Sequence, residues 1–219
     1  NVSHGFKTPL TSILSSAQLL QQYAEREHPF KAKIQKHATK IENSVRSLNS
    51  LLTSVLFFGK ADANKIDFRP KKMFVAALFN EILDVVKAGS EHDVKINVKL
   101  ENLPKTIFSD SDLLYQIFEN LLSNAVKYSK DGQEVDFTVW LENGSLKATV
   151  KDKGIGIPEK EHDQLYDRFF RAKNVGIIEG SGLGLSIVKK SIEVLNGDIT
   201  FESAQGKGTT FNISIPIQE

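Results

Sequence analysis

Cysteine is absent from this 219-residue chain, which excludes disulfides and thiolate metal sites and is compatible with a reducing compartment. No apolar run approaches the ~20 residues that a membrane-spanning helix needs, and no secretory signal is visible. Charge of one sign is not in excess either. Twenty-eight Lys and Arg stand against 27 Asp and Glu, and a net charge of +1 gives no electrostatic argument for nucleic acid or an anionic membrane surface. Internal repeats and low-complexity tracts are missing too. What remains is 40% hydrophobic and 25% charged, the balance of an ordinary globular protein, and its length is comfortable for two domains. The chain is expected to be soluble as given. It opens inside a helical pattern and is expected to be a fragment of something longer.

From residue 3 to about 24, Phe6, Leu10, Ile13, Leu14, Ala17, Leu20 and Ala24 form a helical stripe opposite His4, Thr8, Thr11, Ser15, Gln18 and Gln22. Pro9 removes a backbone donor and is expected to kink this helix. After the break at His28-Pro29 a second helix is expected to about Phe58. There Ile34, Ala38, Ile41, Val45, Leu48, Leu52 and Val55 recur at the alternating steps of a coiled-coil seam. A hairpin of two such helices cannot bury both faces alone, which predicts a homodimeric four-helix bundle. An antiparallel pair docked on the rest of its own chain is the other reading. Residues 59–64, GKADAN, are small and polar without periodicity and read as a linker. The expected domains are 1–60 and 65–219.

Beyond that linker the pattern changes. Helical stripes at 74–87, 110–128 and 182–195 alternate with segments of period two: Val94-Ile96-Val98-Leu100, Val135-Phe137-Val139-Leu141, Leu146-Ala148-Val150 and Phe211-Ile213-Ile215-Ile217. Alternation implies one buried and one wet face and so a mostly antiparallel sheet. Glu142-Asn143-Gly144-Ser145 joins two of these strands as a hairpin turn. Helices on one face of such a sheet make a two-layer α/β sandwich, so the fold class is α+β.

Three stretches carry chemistry. On the helix that ends at Tyr128, Asn120, Asn124, Lys127 and Tyr128 share one stripe. Asn is a poor helix former, and two amides followed by an ammonium and a phenol suit a metal–phosphate group as well as they suit water. Asp152-Lys153-Gly154-Ile155-Gly156 follows a strand, either as a plain turn or as a place where backbone approaches a flat ligand while the carboxylate accepts from an exocyclic amine. Gly180-Ser181-Gly182-Leu183-Gly184 opens the last helix, where free N–H groups and the helix dipole favour phosphate. It lacks the Gly-Lys-Ser/Thr ending of a P-loop and no clear strand leads into it. Between the last two, residues 171–179 lack periodicity and read as a mobile lid.

These residues resemble the catalytic core of bacterial sensor histidine kinases, a dimerisation hairpin followed by a GHKL-type (Bergerat) ATP-binding domain. SHGFKTPL resembles the phospho-acceptor box, ENLLSNAVKYS the asparagine box, DKGIGIP the first glycine box, LYDRFFRA the phenylalanine box, GSGLGL the second glycine box, and GKGTTF the closing glycine segment. Six motifs occur in the family's order. The resemblance implies that His4 takes the γ-phosphoryl group of ATP and passes it to an aspartate on a response-regulator receiver domain. Thr8, together with an acidic residue directly after the histidine, would serve dephosphorylation of that partner. Asp152 would recognise the adenine amine, with Thr209 helping through a water, and Gly154 and Gly156 would line the base pocket. Asn124, Lys127 and Tyr128 would face phosphate or ribose, and Asn120 would hold Mg2+. Gly182, Leu183 and Gly184 would wrap the β- and γ-phosphates, with Arg171 near the γ end. Phe169 and Phe170 are expected in the core at the lid base, and His28, His37, His92 and His162 as surface or packing residues. The implied setting is cytoplasmic, with any membrane attachment only through upstream segments, and the implied partners are a second copy and a receiver domain.

One position departs from the family. Gly5 stands where an acidic residue usually follows the histidine, and the first acid along the helix is Glu25. Loss of a general base typically costs ~10²–10⁴-fold, so slow phosphorylation with intact ATP binding is expected. A nucleotide-binding scaffold with little chemistry is the alternative. A hydrolytic ATPase of the wider GHKL group is disfavoured, because Asn120 occupies the place of its catalytic Glu and Glu119 is one residue out of phase.

Overall fold

The computed structural model describes the backbone of residues 2–24, 31–63, 66–90, 93–176, 178 and 180–217, and their side chains except at 2–4, 24, 31 and 62. They fall into two compact units, Asn1–Asn64 and Lys65–Glu219. No helix among the described residues is long and apolar enough to cross a membrane.

The first unit is a pair of packed helices, α1 (Val2–Ala24) and α2 (Lys31–Asp62). α1 continues through Pro9. α2 does not stop near Phe58 but runs through Gly59 and Lys60 to Asp62, so most of the expected linker is helix. Glycine in a helix costs about 1 kcal/mol relative to alanine; here Phe57, Phe58 and Ala61 are buried on either side of it, and Lys60 complements the helix C-terminus. Of the remaining linker residues, Asn64 lies outside the described set.

The expected seam of α2 is split. Leu51, Ser54, Phe58 and Ala61 are buried, whereas Ile34, Val45 and Leu52 are exposed. At one end of the hairpin a Cβ placed on Gly5 would stand 3.7 Å from both methyls of Leu51. Towards the other, the Tyr23 and His37 rings meet at 5.8 Å. The hairpin thus closes on the stripe next to the predicted one, through a small residue of α1. Leu10 and Leu14 (60% exposed) of α1 and Leu56 (59%) of α2 are left uncovered.

The second unit is built on a five-stranded sheet in the order β2-β4-β5-β7-β6. Its strands are β2 (Lys95–Glu101), β4 (Glu134–Glu142), β5 (Ser145–Lys151), β6 (Asp198–Ala204) and β7 (Gly208–Pro216). β2 pairs parallel with β4, and the other pairings are antiparallel. The β4–β5 turn places Asn143 and Gly144 at φ 50° and 71°, the left-handed pair of a tight hairpin. A separate ribbon joins β1 (Lys71–Phe74) to β3 (Thr106–Ser109). These four-residue strands are too short for period two to announce them. β2 corrects another expectation: as an edge strand it leaves Val98 and Leu100 exposed instead of turning one face inward.

β4, β5 and β7 alternate as expected, whereas β6 is not among the expected strands. Val135, Phe137, Val139, Leu146, Ala148 and Val150 are buried, and the opposite face is polar, with Thr149 bonded to Asn212 and Asn97 to Asp136. The helices are α3 (Val75–Gly89), α4 (Ser111–Tyr128) and α5 (Gly184–Val194). Phe79 of α3, Phe118 of α4 and Phe137 of β4 form a mutually tilted trio with centroids 5.1–5.7 Å apart, the centre of the core. Asp110 starts α4 by accepting from the N–H groups of Asp112 and Leu113, and its second oxygen accepts from Arg69 N at 2.8 Å.

Candidate active site

α4 buries Leu114, Ile117, Phe118, Leu121, Leu122, Ala125 and Val126, and the same periodicity turns Asn120, Asn124, Lys127 and Tyr128 to its other side. That side is not a solvated face: all four are half-buried. The glycine segment before α5 covers it. A Cβ on Gly184 would fall 2.6 Å from Asn120 Oδ1 and 3.7 Å from Asn124 Nδ2, and one on Gly180 would fall 2.8 Å from Lys127 Nζ. Only a residue without a side chain lets the loop lie this close to the amides. The Asn120 amide is held from below, its Nδ2 donating to Gln116 O at 2.7 Å.

α5 begins without a side-chain cap, at the end of this loop. Gly182 has φ 70° and sits against the Phe169 and Phe170 backbone, where a Cβ would meet main-chain atoms at 2.7 Å. Phe169 N donates to Gly182 O at 2.9 Å, and Phe169 itself is left-handed at φ 64°. A bulky residue in that region is a strained one, of the kind found at ligand sites. Phe169 and Phe170 are half-buried, so their expected place in the core is corrected: they clamp the loop with their backbone. The Leu183 side chain is fully buried, which leaves only its main chain to face a ligand.

Asp152 is buried beyond the end of β5. Its Oδ1 accepts from Gly154 N at 2.8 Å and Thr209 N at 3.2 Å. Burial raises its pKa above the ordinary aspartate value, opposed by those two backbone donors. Gly154 and Gly156 are glycines for a reason other than the expected one: a Cβ would strike the carbonyl oxygens of Tyr128 and Ala204, at 2.3 and 2.0 Å. They let protein backbone pass protein backbone and so draw Asp152 against the end of α4. Burial also raises the Tyr128 pKa, and the nearby Arg171 charge lowers it. Arg171 is exposed and donates to Ile178 O.

In the expected lid, Lys173–Val175 is a short 3-10 turn and Asn174 donates to Gly156 O at 2.7 Å; residues 177 and 179 lie outside the described set. His162 packs edge-on against Phe201 at 5.0 Å, while His28 and His92 are outside the described residues. In the first unit, His4 is in the first turn of α1 with its side chain outside the description, and Thr8 is exposed four residues on. Among the described residues no cluster of three His, Cys, Asp or Glu could hold a metal. Sequence reading missed two residues at the site, Asn174 and Ser203. Ser203 faces Thr209 across the β6–β7 pair, a register that the GKGTTF motif alone does not reveal.

The family model for His Kinase A (phospho-acceptor) domains matches residues 1–64. That for histidine kinase-, DNA gyrase B- and HSP90-like ATPases matches 109–219. All of the chain aligns with the sensor histidine kinase WalK of Bacillus subtilis at 31% identity over 223 residues, and it spans 36% of that relative's length. Among solved structures, the Acinetobacter baumannii histidine kinase AdeS is similar at TM-score 0.71 and 19% identity, over 99% of this chain and 98% of that one. Histidine kinase ThkA, solved in complex with response regulator protein TrrA, is similar at TM-score 0.67 and 20% identity, over 99% and 60%.

Proposed function

This chain belongs to the histidine kinase-, DNA gyrase B- and HSP90-like ATPase family as the catalytic core of a sensor histidine kinase, and from that premise we propose that it phosphorylates His4 from ATP and hands the group to an aspartate of a receiver domain. The observation that carries the reading is the glycine loop lying on the Asn120 and Asn124 amides with Lys127 under Gly180. Donors and one cation converge where a polyphosphate would lie, beside the uncapped start of α5. At the far end Asp152, held by two N–H groups on one oxygen, keeps its other oxygen for an amine.

The residues present fit Mg2+. Asn120 offers a neutral amide oxygen and no carboxylate cage surrounds it among the described residues, which suits a cation that keeps several waters and binds chiefly through its substrate's phosphates. When bound, the ion neutralises charge on those phosphates. Lys127 would offset further charge, and the loop would exclude water. In the transfer step a ring nitrogen of His4 attacks the γ-phosphorus, the N–P bond forms, the bond to the β–γ bridging oxygen breaks, and ADP leaves with that oxygen. The imidazole must come within about 3–3.5 Å of the phosphorus, in line with the leaving oxygen. Its proton passes to solvent, because Gly5 supplies no base.

The uncovered leucines of the hairpin support a homodimer, since a second copy would bury them. The ThkA complex supports a response regulator as partner, and a cytoplasmic setting belongs to the same proposal. Incubation with γ-labelled ATP is expected to give acid-labile label on His4, and none in His4→Gln. In Gly5→Glu the new Cβ meets Leu51 at ordinary contact distance, and labelling is expected to rise by roughly 10²-fold. A variant no faster than the parent excludes the missing base as the brake. Absence of label alongside normal ATP binding favours the scaffold reading.

A further inference from the structure

We propose that Ser203 determines the nucleobase preference of the site by fixing the direction of the Thr209 hydroxyl, an inference that rests on the nucleotide reading above. Val150, Phe211 and Phe201 stand opposite one another on β5, β7 and β6. Two residues along, the same inward-facing row is Asp152, Thr209 and Ser203. The apolar rows of the core therefore end in three oxygen-bearing side chains at one edge of the sheet.

One set of hydrogen-bond directions satisfies every contact there. Ser203 Oγ accepts from Ile157 N at 2.9 Å, and lies 3.0 Å from Gly208 O and 2.9 Å from Thr209 Oγ1. A hydroxyl has one proton and two lone pairs. A carbonyl only accepts, so the Ser203 proton goes to Gly208 O. One lone pair holds Ile157 N–H, and the other is open to the Thr209 proton alone. The Thr209 hydroxyl, its proton spent on Ser203, then faces any ligand or bridging water as an acceptor. Asp152 beside it offers a carboxylate oxygen, also an acceptor. A floor made only of acceptors takes a 6-aminopurine, whose exocyclic amine donates. Where those acceptors face position 6 of the base, a 6-oxopurine sets oxygen against oxygen and binds more weakly.

The test is calorimetric titration of the whole chain with Mg·ADP and Mg·GDP. The parent is expected to prefer ADP, and Ser203→Ala, which frees the Thr209 hydroxyl to turn and donate, to narrow the ADP/GDP affinity ratio about fivefold to tenfold. Ser203→Thr keeps the hydroxyl and is expected to retain the parental ratio. In a Thr209→Val background Ser203→Ala is expected to change the ratio no further, an outcome that loosened packing would not give. If Ser203→Ala does not fold, Ser203→Cys, with a weak donor and acceptor of similar size, carries the same expectation. An unchanged ratio in a folded Ala or Cys variant, or a Thr variant without discrimination, overturns the role of Ser203 and leaves the nucleotide site standing. A parent that binds neither nucleotide overturns both.

Discussion

Tyr166 carries a buried hydroxyl that has no hydrogen-bond partner among the described residues, and burial together with the Asp198 charge pushes its pKa up to about 12. The folded chain therefore holds this proton more tightly than the unfolded one. Its contribution to stability is complete below the ordinary value near 10 and is lost as pH rises through about 12. Tyr166→Phe is expected to raise the unfolding free energy by up to about 1 kcal/mol and to remove that alkaline loss; melts at neutral pH and above pH 10 check both. Asp152 works in acid. Its raised pKa means that the folded state loses stability as pH climbs from the ordinary aspartate value through the raised one. An amine-bearing base needs the ionised form, so nucleotide affinity is expected to fall, on acidification, at a pH above the ordinary aspartate range. Asp152→Asn should abolish that pH dependence and weaken binding at least tenfold, measured by calorimetry across pH. Asp152 was legible in the sequence because a carboxylate before two glycines at a strand end is a recognisable pattern. Ser203 was not, since its importance lies in a cross-strand register.

α4 shows how much one helix decides. Its periodicity is visible in the chain, and so is the conflict of two poor helix formers on one stripe of a helix. Nothing in α4 says that its polar side is covered; that follows from the glycine loop packed on it. The hairpin teaches the reverse. An apolar repeat in α2 predicted a seam, but Gly5 and Ser16 of α1 allow the helices to close on a neighbouring stripe, centred on Leu51 and Ser54. The predicted seam then faces outward through Val45 and Leu52, in keeping with a partner helix from a second copy. Leu14→Glu or Leu52→Glu is expected to turn a dimer into a monomer in sedimentation while helicity is kept. Each removes roughly 1.5–3 kcal/mol of burial per copy and puts a charge in its place. A dimer that survives both substitutions rules out this stripe as the interface.

On the proposed function, each of the two units of the molecule carries one half of the reaction. The second has its own sheet, helices and aromatic centre, the attributes of an independently folding domain. A fragment of residues 65–219 is expected to fold alone and bind Mg·ADP within about twofold of the parent, yet to acquire no acid-labile label, since His4 is missing. Calorimetry and labelling on the fragment check the two statements separately.

The division of the chain into hairpin and α/β sandwich, the order of helices and the antiparallel majority of the sheet are all written in periodicity, a property of consecutive residues. Folding in three dimensions decided the rest. It put Gly184 on Asn120, Gly154 under the Tyr128 carbonyl, and Asp152, Thr209 and Ser203 in one row. Those contacts join residues from about 6 to more than 60 positions apart, and only the register of strands and the close passage of backbones brings them within a hydrogen bond of each other.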